Sequence, residues 1–73
     1  MDIAAEIKRV RQRSMLSQEE MARELGVSFA TVNRWETGRA KPTYRTLRLI
    51  DDFCQKRGIE STISIISVKQ AGG

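Results

Sequence analysis

The clearest structural signals of this chain lie in the stretch Leu16-Ser17-Gln18-Glu19-Glu20-Met21-Ala22-Arg23-Glu24-Leu25-Gly26-Val27-Ser28. Ser17 and Glu20 have the spacing of a capping box, in which the serine hydroxyl binds the amide of Glu20 and the carboxylate binds the amide of Ser17. Gly26 accepts the left-handed backbone that ends a helix, and Ser28 is suited to cap a new helix two residues later. The stretch therefore predicts two short helices joined by a tight turn.

Further helices are predicted on both sides of this stretch. One spans residues 2–13 with Asp2 as its cap, and another spans residues 29–37 and ends at Gly38. A fourth helix follows and ends near Gly58. Apolar residues recur in each helix on one face: Ile3, Ile7 and Val10; Met21, Ala22 and Leu25; Val32 and Trp35; and Leu47, Ile50, Phe53 and Cys54. The sequence therefore predicts an all-α bundle over residues 1–58.

Residues 59–73 form a tail of different character. Isoleucines and Val68 alternate loosely with serines and a threonine, a pattern typical of a β-strand over residues 59–68. Because a lone strand is not stable, this segment needs a partner. Three alternatives are open: pairing of two tails in a dimer, binding of another protein, or an end that is disordered or partly helical.

Composition limits the classes of function. The chain has 73 residues, with 13 Lys and Arg against 9 Asp and Glu, a formal charge of +4 that permits a polyanionic partner. Cys54 is the single cysteine and histidine is absent, which excludes a Cys/His zinc site and histidine-based catalysis. No metal, no cofactor and no enzymatic activity are therefore expected. No apolar segment approaches a membrane span or a signal peptide, so the sequence predicts a cytoplasmic protein.

A family resemblance becomes specific at the central stretch. Residues 16–28, followed by Val32, Trp35-Glu36, Gly38 and Pro42, resemble the Cro/repressor family of helix-turn-helix regulators, also called XRE-like. The resemblance implies a lambda repressor-like bundle of four to five helices and a regulator associated with bacterial or phage DNA. It also implies a structural ion pair between Arg11 and Glu36, which match family positions that often carry one.

The helix at about residues 28–37 is then expected to enter the major groove of DNA and to present its outward side chains to the base edges. With Val32 and Trp35 facing inward, the predicted base contacts are Phe29, Ala30, Asn33 and Arg34. Arginine suits guanine, and asparagine suits adenine or a phosphate. Phe29 and Ala30 suit a thymine methyl group, although Phe29 has the alternative of packing against the preceding helix.

Phosphate contacts are expected from polar and basic residues around this helix. Residues 34–48 contain Arg34, Arg39, Lys41, Arg45 and Arg48 against one acid, Glu36. The predicted phosphate contacts are Gln18, Ser28, Thr31, Arg39, Lys41 and Arg45, of which Gln18 follows from the resemblance. Thr43 has the simpler alternative of capping the fourth helix.

The function expected from these features is sequence-specific binding of duplex DNA by a transcriptional regulator, in particular a repressor. The chain is expected to form a homodimer, at least on DNA, with half-sites about 10 base pairs apart. The competing hypothesis is an antitoxin-like module, or another protein-interaction module, that binds its partner through the tail. One departure from the family pattern is Asp51, an acid where a small apolar residue is usual, for which Arg48 or Gln55 is the expected partner.

Overall fold

The computed structural model describes residues 2–63. Within them the chain forms four helices: α1 (Ile3–Arg13), α2 (Gln18–Leu25), α3 (Phe29–Glu36) and α4 (Tyr44–Arg57). These residues contain no strand. The all-α fold predicted from the sequence is confirmed, and none of the four helices is long and apolar enough to cross a membrane.

Each helix begins at a side chain that caps it, because the first amides of a helix have no partner within the helix. Ser17 accepts from the amide of Glu20 at 3.0 Å, and the Glu20 carboxylate accepts from the amide of Ser17 at 2.8 Å. The other caps are Asp2, Ser28 and Thr43. Gly26 ends α2 with φ of 75°, the left-handed conformation that glycine adopts without strain. Both short helices therefore begin where the sequence predicts, and α3 ends one residue earlier than predicted, at Glu36.

The core is a single apolar cluster to which every helix contributes. Its buried members are Ile7 and Val10 from α1, Met21, Ala22 and Leu25 from α2, Val32 and Trp35 from α3, Leu47, Ile50, Phe53 and Cys54 from α4, and Ile63. The helix α3 packs against both α1 and α2, and α2 also packs against α4. Because helices as short as α2 and α3 do not persist alone in water, this packing fixes the orientation of α3.

The predicted strand is wrong for residues 59–63: residues 59–61 have no regular structure, Thr62 lies in a turn and Ile63 is helical. This segment returns to α1. Ile63 is completely buried in the core. Arg9 donates to the carbonyl of Glu60 at 2.7 Å, and the Ser61 hydroxyl donates to the Glu6 carboxylate at 3.0 Å. The alternation of apolar and polar residues also fits this segment, in which Ile59 and Ile63 pack on the core while Glu60 and Thr62 are exposed. The rest of the predicted strand, 64–68, lies outside the described residues.

Asp51, the acid at a usually apolar family position, lies on the partly exposed side of α4. Gln55, one helical turn further on, donates to its carboxylate at 3.1 Å. Arg48 and Gln55 were the two partners expected from the sequence, and Gln55 is the one that binds Asp51.

Candidate nucleic-acid interface

The helix α3 has one buried and one exposed face. Val32 is fully buried and Trp35 is 4% exposed. On the other side, Phe29 is 53% exposed, and Ala30 and Arg34 are also exposed. The alternative in which Phe29 packs in the core therefore has no support in the structure. The exposed face offers an aromatic ring, a methyl group and a guanidinium group to an incoming partner.

An ion pair fixes the end of α3 to α1. The Nε of Arg11 lies 2.7 Å from Oε2 of Glu36, and its Nη2 donates to Oε1 at 3.0 Å. Arg11 also donates to the carbonyl of Leu16 at 2.9 Å, in the turn before α2. The Glu36 side chain is only 3% exposed, and its carboxylate raises the pKa of Arg11 above the ordinary value. This ion pair is the one implied by the resemblance, and it links α1, the turn before α2, and α3.

Gln18, the first residue of α2, lies between this ion pair and the exposed face of α3. Its Nε2 donates to Oε1 of Glu36 at 3.0 Å, and its Oε1 accepts from Nδ2 of Asn33 at 3.2 Å. The sequence predicts a phosphate contact for Gln18 and a base or phosphate contact for Asn33, but it does not predict that these two side chains bind each other. No local pattern reveals this contact, because the partners are 15 and 18 residues apart along the chain.

The two hydroxyls at the start of α3 bind each other. The oxygens of Ser28 and Thr31 lie 2.8 Å apart, and the Ser28 hydroxyl accepts from the amide of Thr31 at 3.0 Å. Ser28 is therefore the cap of α3 in addition to its predicted role at a phosphate. Both hydroxyls lie beside the first amides of the helix, where the positive end of the helix dipole favours anions.

Positive charge is uncompensated from α3 to the first half of α4. Arg34, Arg39, Lys41, Arg45 and Arg48 are all exposed, and none of them has an ion-pair partner within residues 2–63. The amides of Arg39 and Ala40 both donate to the carbonyl of Arg34, at 2.9 and 3.3 Å, which folds the loop back onto the end of α3. By contrast, Lys56 and Arg57 at the far end of α4 are paired with Asp52 and Glu24. Five exposed cations without an ion-pair partner therefore lie together on α3, the loop behind it and the first half of α4.

The described residues contain no group of acids and cysteine that suits a metal ion. The features that residues 2–63 do present are an exposed helix held by a helical bundle and a basic loop beside it. A short capped helix, a glycine turn and a second short helix with one exposed face define the helix-turn-helix class of DNA-binding domain.

Comparison with known proteins agrees with this class. A family model described as "Helix-turn-helix" matches residues 7–64, and the chain belongs to this family of XRE-like helix-turn-helix regulators. The Type II methyltransferase M.SsoII of Shigella sonnei is 44% identical over 55 residues, which are 71% of this chain and 14% of the methyltransferase. The chain is thus similar to a small part of that protein. No solved structure matches the chain.

Proposed function

We propose that this protein binds duplex DNA sequence-specifically with α3 in the major groove and represses transcription by occupying an operator. The main support for this proposal is that α3 has one buried and one exposed face. Val32 and Trp35 anchor it in the core, while Phe29 and Arg34 are exposed next to unpaired cations. A major groove is about 12 Å wide and admits one helix held in this way.

Base recognition is assigned to the exposed side of α3. The guanidinium of Arg34 matches the O6 and N7 acceptors of guanine, and the amide of Asn33 matches N6 and N7 of adenine. Phe29 and Ala30 supply apolar surface for a thymine methyl group. These four residues would carry the sequence preference.

Affinity that is independent of sequence is assigned to the surrounding residues. Arg39, Lys41 and Arg45 are exposed cations that can neutralise phosphates, whereas Gln18, Ser28 and Thr31 can donate neutral hydrogen bonds. Each neutralised phosphate releases counterions, so binding would weaken steeply as the salt concentration rises.

The proposal extends to assembly and cellular context. Two copies on one operator would present two α3 helices to half-sites about 10 base pairs apart. We place the protein in the cytoplasm, where its DNA is, and assign it no enzymatic activity of its own. Its methyltransferase relative is an enzyme by name, which indicates that this domain also occurs as a small part of larger proteins.

The test is selection of bound duplexes from a random DNA library at near-physiological salt. Enrichment of one motif establishes sequence-specific binding, and a palindromic motif establishes binding as a dimer. If a protein that is folded by circular dichroism enriches no motif, the proposal is wrong. The antitoxin-like hypothesis, in which the tail binds another protein, then becomes the explanation to test.

A further inference from the structure

A continuous series of side-chain hydrogen bonds runs from α1 to the exposed face of α3. Arg11 donates to both oxygens of the Glu36 carboxylate, which also accepts from Nε2 of Gln18. The Oε1 of Gln18 in turn accepts from Nδ2 of Asn33. The series begins at a nearly buried ion pair and ends at a residue proposed to read a base.

The chemistry of this series fixes the orientation of both amide groups. An ionised carboxylate only accepts hydrogen bonds, so the NH₂ group of Gln18 has to face Glu36. Its carbonyl oxygen therefore faces Asn33, and Asn33 has to turn its own NH₂ group toward Gln18. A rotation of either amide by 180° would place two donors or two acceptors against each other. Because Glu36 is held by Arg11, it sets the direction of the whole series.

The orientation of Asn33 determines what it offers to DNA. With one N–H directed at Gln18, the remaining N–H and the carbonyl oxygen of Asn33 are presented in one fixed order. Adenine has a complementary pair on its major-groove edge, an N7 acceptor beside an N6 donor. The reversed amide would set its donor against the N6 donor and its carbonyl oxygen against the N7 acceptor, so it would not bind adenine.

We propose that Gln18 is a positioning residue that holds the amide of Asn33 in the orientation that selects adenine, in addition to any contact with a phosphate. This inference rests on the proposed function, since it concerns the base read by α3. It assigns a part of the sequence preference to a residue of α2 that reads no base itself.

The experiment compares library selection for the wild-type protein, Gln18→Ala, Asn33→Ala and the double variant. If Gln18 positions Asn33, Gln18→Ala reduces the preference for adenine by about tenfold at the one position that Asn33→Ala also affects. The preference at the position read by Arg34 stays unchanged, and the double variant has the same base preferences as Asn33→Ala. The matched control is Gln55→Ala, because Gln55 bonds only to Asp51 among the described hydrogen bonds of its side chain.

An NMR measurement without DNA tests the contact between Gln18 and Asn33 independently of DNA binding. In the NMR spectrum of the full chain, Gln18→Ala should shift the side-chain NH₂ signals of Asn33, whereas Gln55→Ala should leave them in place. Unshifted Asn33 signals overturn the inference whatever the DNA result.

The outcomes on DNA are also distinct. A wild-type protein that enriches no motif contradicts the proposed function itself. A wild-type motif that Gln18→Ala weakens equally at all positions overturns the inference alone, because it assigns Gln18 to a phosphate only. Thermal unfolding of each variant checks that the losses do not come from a failure to fold.

Discussion

Glu6 illustrates at the scale of one residue how the end of the described chain is attached to α1. Its carboxylate accepts from Nε and Nη2 of Arg9, each at 2.9 Å, and from the Ser61 hydroxyl and the Thr62 amide at 3.0 and 3.1 Å. The hydrogen bonds of Arg9 are the main reason that the pKa of Glu6 falls from 4.5 to about 2, while partial burial acts in the opposite direction.

This lowered pKa predicts a dependence of stability on pH. The charged carboxylate stabilises the folded state fully above pH 4.5, and the contribution is lost as the pH falls from 4.5 toward 2. We expect Glu6→Gln, which has no charge to lose, to be less stable than the wild type by roughly 2 kcal/mol at pH 7. The difference should disappear near pH 2. Urea unfolding at several pH values measures it, and a difference that does not depend on pH would contradict the assignment.

Met15 is a second residue with a measurable energetic effect. It has φ of 59°, in the left-handed region, and its side chain is 90% exposed. Such a backbone costs an ordinary residue about 1–2 kcal/mol, whereas asparagine tolerates it better. We expect Met15→Asn to raise the melting temperature by roughly 3 °C. Met15→Ala lacks the short polar side chain that hydrogen-bonds locally, so it is the control, and equal melting temperatures of the two variants would disprove this explanation.

At the scale of the element, the proposed DNA contacts are divided between α3 and the loop behind it. Arg34 lies on the exposed face of α3, and Lys41 lies in the loop that folds back toward it. The helix is positioned by two separate attachments: its apolar face packs in the core, and Glu36 at its end binds Arg11.

Substitutions in α3 and in the loop should therefore have different effects on DNA binding. Arg34→Ala should relax the preference for one base, because it removes the bidentate contact proposed between Arg34 and guanine. Lys41→Ala should weaken binding to all sequences about equally and reduce the salt slope by about 0.9. Titrations of matched and mismatched duplexes at several salt concentrations measure both effects.

Lys56→Ala is the control for the lysine substitution, because Lys56 lies on α4 and is paired with Asp52. It should leave affinity and salt slope nearly unchanged. If Arg34→Ala and Lys41→Ala behave alike, the division between base and phosphate contacts is wrong.

At the scale of the whole molecule, the segment after α4 belongs to the folded bundle. Ile63 is fully buried, and Ile59 packs against the same cluster. We expect Ile63→Ala to lower the free energy of unfolding by about 2–4 kcal/mol, because it leaves a cavity in a small core. Leu49→Ala is the control, since Leu49 is 44% exposed and its truncation should cost less than about 1 kcal/mol. Equal costs in urea unfolding would show that Ile63 does not occupy the core in solution.

The sequence predicted most of the fold because its signals are local. Ser17, Ser28 and Thr43 lie where caps have to lie, and Gly26 and Gly58 lie where helices have to end. Reasoning of the same kind failed after Gly58. The alternation of apolar and polar residues predicted a strand there, and only the folded structure shows that Ser61 binds Glu6 and that Ile63 is buried in the core.

The residues of the candidate site were likewise predictable only in part. Helical periodicity was sufficient to identify Phe29, Ala30 and Arg34 as exposed, because two inward residues fix the orientation of one helix. The contacts of Gln18 and Asn33 were not predictable, because they depend on how closely α2 and α3 approach each other.

Local signals in the sequence were sufficient to predict the four helices of residues 2–58, their inward faces and the family to which the chain belongs. These properties depend on spacings of a few residues, which backbone geometry converts directly into structure. The attachment of residues 59–63 to α1 and the direction of the hydrogen bonds from Arg11 to Asn33 could not be predicted from the sequence and are seen only in the folded structure. Both join residues that are distant in the chain, and their geometry exists only after the core has brought the helices together.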